Sequence, residues 1–570
     1  MAYFKTKTIH GQRYLYVCET RLVDGKPRPV TLAYLGKPDA LLQRLAQSRG
    51  APLRLQSFAH GAVAVLLSLA ARLGVPELFE AHKAPVHRGT PEHGCPSVGW
   101  TLALGAVGLA VRPTSKRGFA AWAETTTLPR LAGFRAAALT SQYFWDQMDH
   151  LPSAALGQAG AELGRRVASW AGVKLDRLFY DSSNFYTFIA SDNAHCDLPQ
   201  RGHSKQKRHD LRQLNLGLLV ARDGWIPLQA HLYRGNLNDV SHFPEALALT
   251  RQQLLALGAP LEEVTLVCDK GHWSVANWAA LDRHQLHYVT SVPAARAGAT
   301  ARRPVAEFEA VQHAELGELR ALRWTQELAG RSRTIVVLDS PTLRQAQLRG
   351  LQQRLQKPVA ALCRLKQRLR TGRRRPRLQV EQQLARLLAS PTLKQLVAYE
   401  LRETADRRWD LDWGLDPEAY AEFRDTVYGR RVLVTDRSAW TTAEILAAYW
   451  GQSTAEHLFA ALKDPQHCAL HTPHHWTDQK LEVHALLTVL ACTLQALIRR
   501  TARRLGYTQD TAALVDLLNS IRAVRVCEVR DRPGRPRVRW QMETAAPEAL
   551  RLYRELVLPQ YDLGSIHKDD

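Results

Sequence analysis

Acid is what this sequence is short of. Its 570 residues carry 76 lysines and arginines against 54 aspartates and glutamates, a formal charge of +22, with a pI near 9.9. An excess of that size repels itself unless it meets a polyanion, and nucleic acid is the partner it implies. Cysteine patterning is also missing: the eight cysteines lie far apart and none forms a C-x-x-C pair. That excludes a disulfide framework and a cysteine zinc site, and leaves them as small buried hydrophobes. The longest apolar run, Ala485 to Ile498, is shorter than the ~18 residues a membrane span needs, so no transmembrane helix and no membrane partner are expected. The opening "MAYFKTKTIHGQRYLYVCET" has no apolar core of a secretory signal, so a cytoplasmic protein is expected. No internal repeat occurs. Hydrophobic residues at 45% and charged ones at 23% are a globular composition, and the length implies several domains.

Short alternating stretches around "HGQ" and "VDGK" predict a β-hairpin or meander within residues 1–50. Helical spacing dominates 51–172, broken by the loop "APVHRGTPEHGCP"; this segment either contacts DNA or packs. The stretch 173–299 is the most regular. "KLDRLFYD" reads as a strand ending in Asp181, and "LNLGLLVARDGWIPLQAHLY" as two strands about Asp223-Gly224. A helix from about Ser241 follows, then a strand ending in Asp269, a helix over "HWSVANWAALDRHQ", and the strand "LHYVTSV". The order is β-β-β-α-β-α-β. Residues 300–438 read as an insertion of strand-like pieces around a polar helix, in which Arg344 to Arg377 contains no acid and culminates in Arg373, Arg374 and Arg375. A solvated arm is the bland reading; a one-signed block is also what a phosphate backbone attracts. Apolar helices in 439–510 and a mixed region in 511–570 complete the chain.

Two parallel neighbouring strands end at one sheet edge, where α/β proteins place ligands. A right-handed crossover would set the strand of Asp269 beside that of Asp181. Paired carboxylates in a dry crevice repel one another, and a divalent cation removes the conflict; magnesium needs only such a pair, one more carboxylate and substrate phosphates. Glu456 is the natural third. In "YWGQSTAEHLFAALKD", read as one helix, the seven-residue spacing puts Tyr449, Glu456 and Lys463 on one face with Gln452 slightly aside. Asp239 is a rival ligand but suits a helix start, and Asp210 suits a partner for Arg208 or Arg212. Cys468, His471, His474 and His475 invite a zinc reading but lack a second ligand cluster. Trp273 fits a core position or a platform for an unpaired base.

This layout is that of ribonuclease-H-like phosphoryl-transfer cores. The chain resembles the DDE transposases of insertion sequences, in the branch with a Tyr-x2-Arg-x3-Glu-x6-Lys helix and a β-rich insertion before the glutamate. The match is carried by "FYDSSNFY", "GHSKQKRHDLRQLNLGLL", "DGWIPLQAHLYRGNLNDVSHF", "DKGHWS", "DQKLEVHALLTVLA" and the N-terminal "TRLVDGKPRPVTLAYLG", in order. The resemblance implies an α/β fold: a ribonuclease-H-like mixed sheet with a long α+β insertion, a small N-terminal β-hairpin region and a helical N-terminal domain. It implies cleavage at the ends of a mobile element and transfer of the freed 3′-hydroxyl to target DNA. Two magnesium ions, with manganese as the alternative, would be held by Asp181, Asp269 and Glu456, Asp181 bridging both. Tyr449, Gln452 and Lys463 would contact DNA, as would Trp273 and Arg373 to Arg375. The partners implied are double-stranded terminal repeats and target DNA, bound by a homodimer. The family's arginine is Gln452 here, which can hydrogen-bond a phosphate but offers neither its charge nor its fork. A DNA-binding protein without chemistry and a nuclease that cuts without joining are the competing readings.

Overall fold

The apolar runs between Lys174 and Val292 form five strands: β1 (Arg177–Thr187), β2 (Arg212–Ala221), β3 (Ile226–Arg234), β4 (Thr265–Cys268) and β5 (His287–Val292). The computed structural model describes residues 2–23, 26–47, 53–85, 94–293, 298–313, 317–468, 470, 473–528 and 537–563. The five strands lie in the order β3-β2-β1-β4-β5, with β1, β4 and β5 parallel, β2 antiparallel to β1 and β3 antiparallel to β2. This is the α/β, ribonuclease-H-like arrangement that the sequence reading expects. Helix α1 (Asp239–Ala256) makes the crossover to β4, and Asn238 caps it by accepting the Ser241 N–H at 2.8 Å. Helix α2 (Val275–Arg283), capped by Ser274, leads to β5.

Part of the insertion extends this sheet. Strands β6 (Glu309–His313), β7 (Gly317–Leu328), β8 (Arg331–Asp339) and β9 (Arg430–Thr435) bring it to nine strands, with β9 paired to both β5 and β8. Arg333 ties this extension to α2: its fully buried guanidinium pairs with Asp282 at 2.9 Å and lies over Trp278. The rest of the insertion, helices Pro341–Thr371 and Arg377–Leu387 with the hairpin Val397–Glu403/Trp409–Leu415, packs around its own leucine core.

Two expectations need correction. The strand bearing Asp181 does not end there; its parallel pairing with β4 stops at Tyr180↔Cys268, but it runs on to Thr187 against β2. The segment from Tyr449 to Lys463 is not one helix but two, α3 (Thr442–Trp450) and α4 (Gln452–Lys463), divided at Gly451. A Cβ at Gly451 would lie 2.8 Å from both the Phe179 and the Trp225 rings, so only glycine fits where this break meets the sheet. Helix α3 packs by Ile445, Leu446, Ala448 and Tyr449 on Phe179, Val267, Val289 and Leu433. Helix α5 (Asp478–Arg504) is long and apolar enough to cross a membrane by composition, but 83% of its most apolar window is buried inside the protein. Its Gln495 donates to the Ala110 carbonyl at 2.7 Å, and Lys480 pairs with Asp149.

These elements belong to one compact unit, Leu66–Ala123 with Ala132–Asp516; the other comprises Met1–Val65, Glu124–Leu131 and Leu517–Asp570. The second holds the N-terminal meander, strands Ala2–Ile9, Gln12–Val23 and Lys26–Gly36. Its other sheet pairs Arg522–Glu528 with Leu53–Ala59, so chain ends that read as separate regions share a sheet. Its core encloses His60, whose Nδ1 meets Thr127 Oγ1 and whose Nε2 meets the Tyr553 hydroxyl, both at 2.8 Å. Burial pushes this imidazole down to about 4. The unfolded chain binds a proton near pH 6.5 that the folded one refuses, so stability falls as pH drops from about 6.5 to 4 and levels off below. The expected loss is about 3 kcal/mol, measurable as pH-dependent thermal unfolding, and His60→Gln should flatten the curve over that interval.

Candidate active site

Strand alternation places the acids. Phe179 and Val267 face α3, and two residues further along each strand stand Asp181 and Asp269, on that same face. Because Tyr180 pairs with Cys268, the two aspartates follow in step on neighbouring strands. Burial pushes the Asp181 carboxyl up to about 6; the Ser182 N–H and Lys205 oppose the rise, and the charges of Asp269 and Asp239 add to it. Asp269 accepts hydrogen bonds from the Ser291 hydroxyl at 2.9 Å and the Tyr449 hydroxyl at 3.4 Å. Burial and the Asp269 charge raise Tyr449 to about 12, so it stays a donor.

Across a cavity of about 620 Å³ from Asp269 stands Glu456, exposed on α4, with Gln452 buried one turn before it. Lys463, at the far end of α4, reaches back to β1 and donates to the Ser183 hydroxyl at 2.5 Å, over the Phe185 ring. Burial and Lys205 lower its pKa, while Asp181 acts the other way. The break at Gly451 thus does not scatter the signature residues: Tyr449, Gln452 and Glu456 line one cavity, and Lys463 meets the strand of Asp181.

The three carboxylates do not form a closed cage. Among the described residues, no three His, Cys, Asp or Glu side chains stand close enough together to hold an ion. The donor set nevertheless fits magnesium, which binds through one or two carboxylates and takes its remaining oxygens from water and substrate phosphate. Asp181 and Asp269 supply such a pair, in step on neighbouring strands.

The other candidates divide. Asp239 is the first residue of α1, receives the Tyr233 hydroxyl at 3.0 Å and pairs with Lys205, which also donates to the Ser182 carbonyl. Asp210 holds Arg208 through two bonds of 2.9 and 2.8 Å. Trp273 precedes α2, half-buried, its ring edge-on to Trp278 at 5.8 Å. Arg373 and Arg374 are exposed beyond a helix end, whereas Arg375 donates to Gln383. His471 lies outside the described residues; Cys468 donates to Gln495 and His475 meets Lys116, so neither faces a shared metal position.

Ser291 and Arg431 of the cavity escaped the sequence reading. Arg431 of β9 lies over the Tyr449 ring at 5.6 Å and the Trp450 ring at 5.3 Å, with no carboxylate partner among the described residues. The neighbouring Arg430 is committed to the protein, bonded to the Arg303 and Asp425 carbonyls. Only the double arginine at the head of "RRVLVTD" could have flagged the position, and a strand-starting charge ordinarily reads as solvated.

Fold and site define an α/β protein of ribonuclease-H-like topology with an acid-floored, arginine-flanked crevice. No protein-family profile matches the chain, and no curated protein matches it in sequence. Among solved structures it is similar to the piggyBac transposase synaptic complex with hairpin DNA, studied by cryo-electron microscopy, at 7% identity over 82% of each chain and a TM-score of 0.39.

Proposed function

We propose that the protein is a DDE-type DNA transposase that binds the ends of an insertion sequence and carries out magnesium-dependent strand cleavage and strand transfer. The observation that carries this reading is the in-step placement of Asp181 and Asp269 on parallel strands, facing the helix pair that brings Tyr449 and Glu456 to the same crevice. Asp181, Asp269 and Glu456 would hold the metal, which when bound would polarise the scissile phosphate and lower the pKa of the attacking hydroxyl. The chain's own groups do the rest. Tyr449 and Ser291 fix the Asp269 carboxylate in orientation. Lys463 and Arg431 supply positive charge on two sides of the acids, where a phosphodiester must enter against carboxylate repulsion. Gln452 contributes hydrogen bonds but no charge, so Arg431 takes the part of the family's arginine. Positioning alone makes attack effectively intramolecular, and no covalent protein nucleophile is needed.

The experiment is strand cleavage of a labelled duplex carrying the element's terminal repeat, with and without magnesium. Glu456→Gln should reduce cleavage at least a hundredfold while DNA binding holds, since the exposed side chain contributes nothing to packing. A protein that only binds DNA would be indifferent to this change, and full cleavage by the variant rules out the assignment.

A further inference from the structure

A second cavity, of about 830 Å³, lies on the other flank of α4 from the acidic crevice. Gln452 and Glu456 face the crevice; His457, Ala460, Ala461 and Asp464, at helical spacing, face this cavity, whose opposite wall is the end of α5. That wall presents Arg499, Arg503 and Arg504. Like charges four apart on a helix repel, and here the repulsion is not relieved internally. Among the described residues none of the three has a carboxylate partner: Arg499 donates to the Gly224 carbonyl, Arg503 to the Tyr507 carbonyl, and Arg504 weakly to Thr501. The acids that line the cavity have partners other than these three arginines. Asp223 pairs with Arg500 at 2.8 Å, Asp464 holds His467 and the Gln466 N–H, and Asp510 caps the following helix through the Ala513 N–H. Burial and the Arg503 charge both lower the Arg499 pKa.

We infer that this cavity is a phosphate-binding site, in which the Arg499, Arg503 and Arg504 guanidiniums bind the phosphate groups of a nucleic-acid backbone or of a free phosphorylated ligand. Guanidinium forks match phosphate oxygens in pairs, and the cavity is far larger than a single ion, so more than one phosphate fits. The nucleic-acid form rests on the transposase reading; the free-ligand form does not.

Arg503 and Arg504 are exposed, so the double variant Arg503→Ala/Arg504→Ala should fold, which an unchanged melting temperature verifies. Two measurements are made on it and on the wild type. The first is the slope of log DNA affinity against log salt, expected to become shallower by about 1 to 2 as up to two phosphate contacts are lost. The second is calorimetric binding of pyrophosphate to DNA-free protein, expected to weaken at least tenfold. A shallower slope, with or without the pyrophosphate loss, assigns the site to the phosphodiester backbone. Loss of pyrophosphate binding alone assigns it to a free phosphorylated ligand. A variant equal to the wild type in both overturns the site. Should the wild type bind no DNA, the transposase reading fails while the pyrophosphate measurement still decides this one.

Discussion

Asp181→Asn is expected to bind element-end DNA as the wild type does and to cleave it at least about a thousandfold more slowly, a barrier increase of roughly 4 kcal/mol. The substitution keeps the shape of the side chain, and its remaining carbonyl oxygen can still accept the Ser182 N–H that Asp181 holds at 2.8 Å. What it removes is charge. In the free protein that charge is a liability, because burial and the neighbouring Asp269 and Asp239 push the Asp181 carboxyl up to about 6. Removing it relieves repulsion, so the melting temperature should stay level or rise, and lost activity cannot be ascribed to misfolding. In the proposed function the phosphate contacts fall to arginines and lysines and not to the acids, so binding should persist. Gel-shift titration and a magnesium-dependent nicking assay on one preparation separate the two properties. Wild-type cleavage by Asp181→Asn would remove the acidic crevice from the mechanism.

Arg431→Gln should cost about ten- to a hundredfold in cleavage of the same substrate, the worth of one charge-assisted hydrogen-bond pair at about 1.5 to 3 kcal/mol. The guanidinium rests on the faces of Tyr449 and Trp450, which hold it over the cavity shared by Asp269 and Glu456 without neutralising it. Gln452 stands in the same cavity where the family signature has arginine. Introducing Gln452→Arg into the Arg431→Gln protein should therefore restore a substantial part of the rate, whereas in the wild type it should add little. A double-mutant cycle on these positions measures the coupling directly. Independent, additive effects would show that Arg431 has no share in holding the phosphate.

The core strands were legible because each is an apolar run bounded by turn residues, and because a right-handed crossover, with β1 central, puts β4 beside β1. Asp269 was legible for the same reason, standing just past the end of its run, whereas Asp181 lies inside a strand that runs on to Thr187. The helix signature was legible as a list of residues but not as a shape. A seven-residue spacing assumes an unbroken helix, and at the break the space for a side chain on residue 451 is taken by Phe179 and Trp225, more than two hundred positions away in the chain. Three strands of the insertion, β7, β8 and β9, were legible, but not that they and β6 would extend the core sheet, since edge pairing depends on which unsatisfied backbone edge lies nearest. Arg431 stayed hidden because its importance lies in two rings on another element.

The sequence by itself therefore determined the basic character of the protein and the order of its core strands, and it named the two aspartates that the structure sets in step on neighbouring strands, all of which follow from composition and short-range periodicity. The tertiary structure alone decided that α3 and α4 part at Gly451, that a guanidinium with no carboxylate partner among the described residues stands over the crevice, and that a basic cavity lies behind α4. Those features arise from packing between segments remote in the chain, where steric fit and the pairing of charges are settled by neighbours that local sequence does not contain.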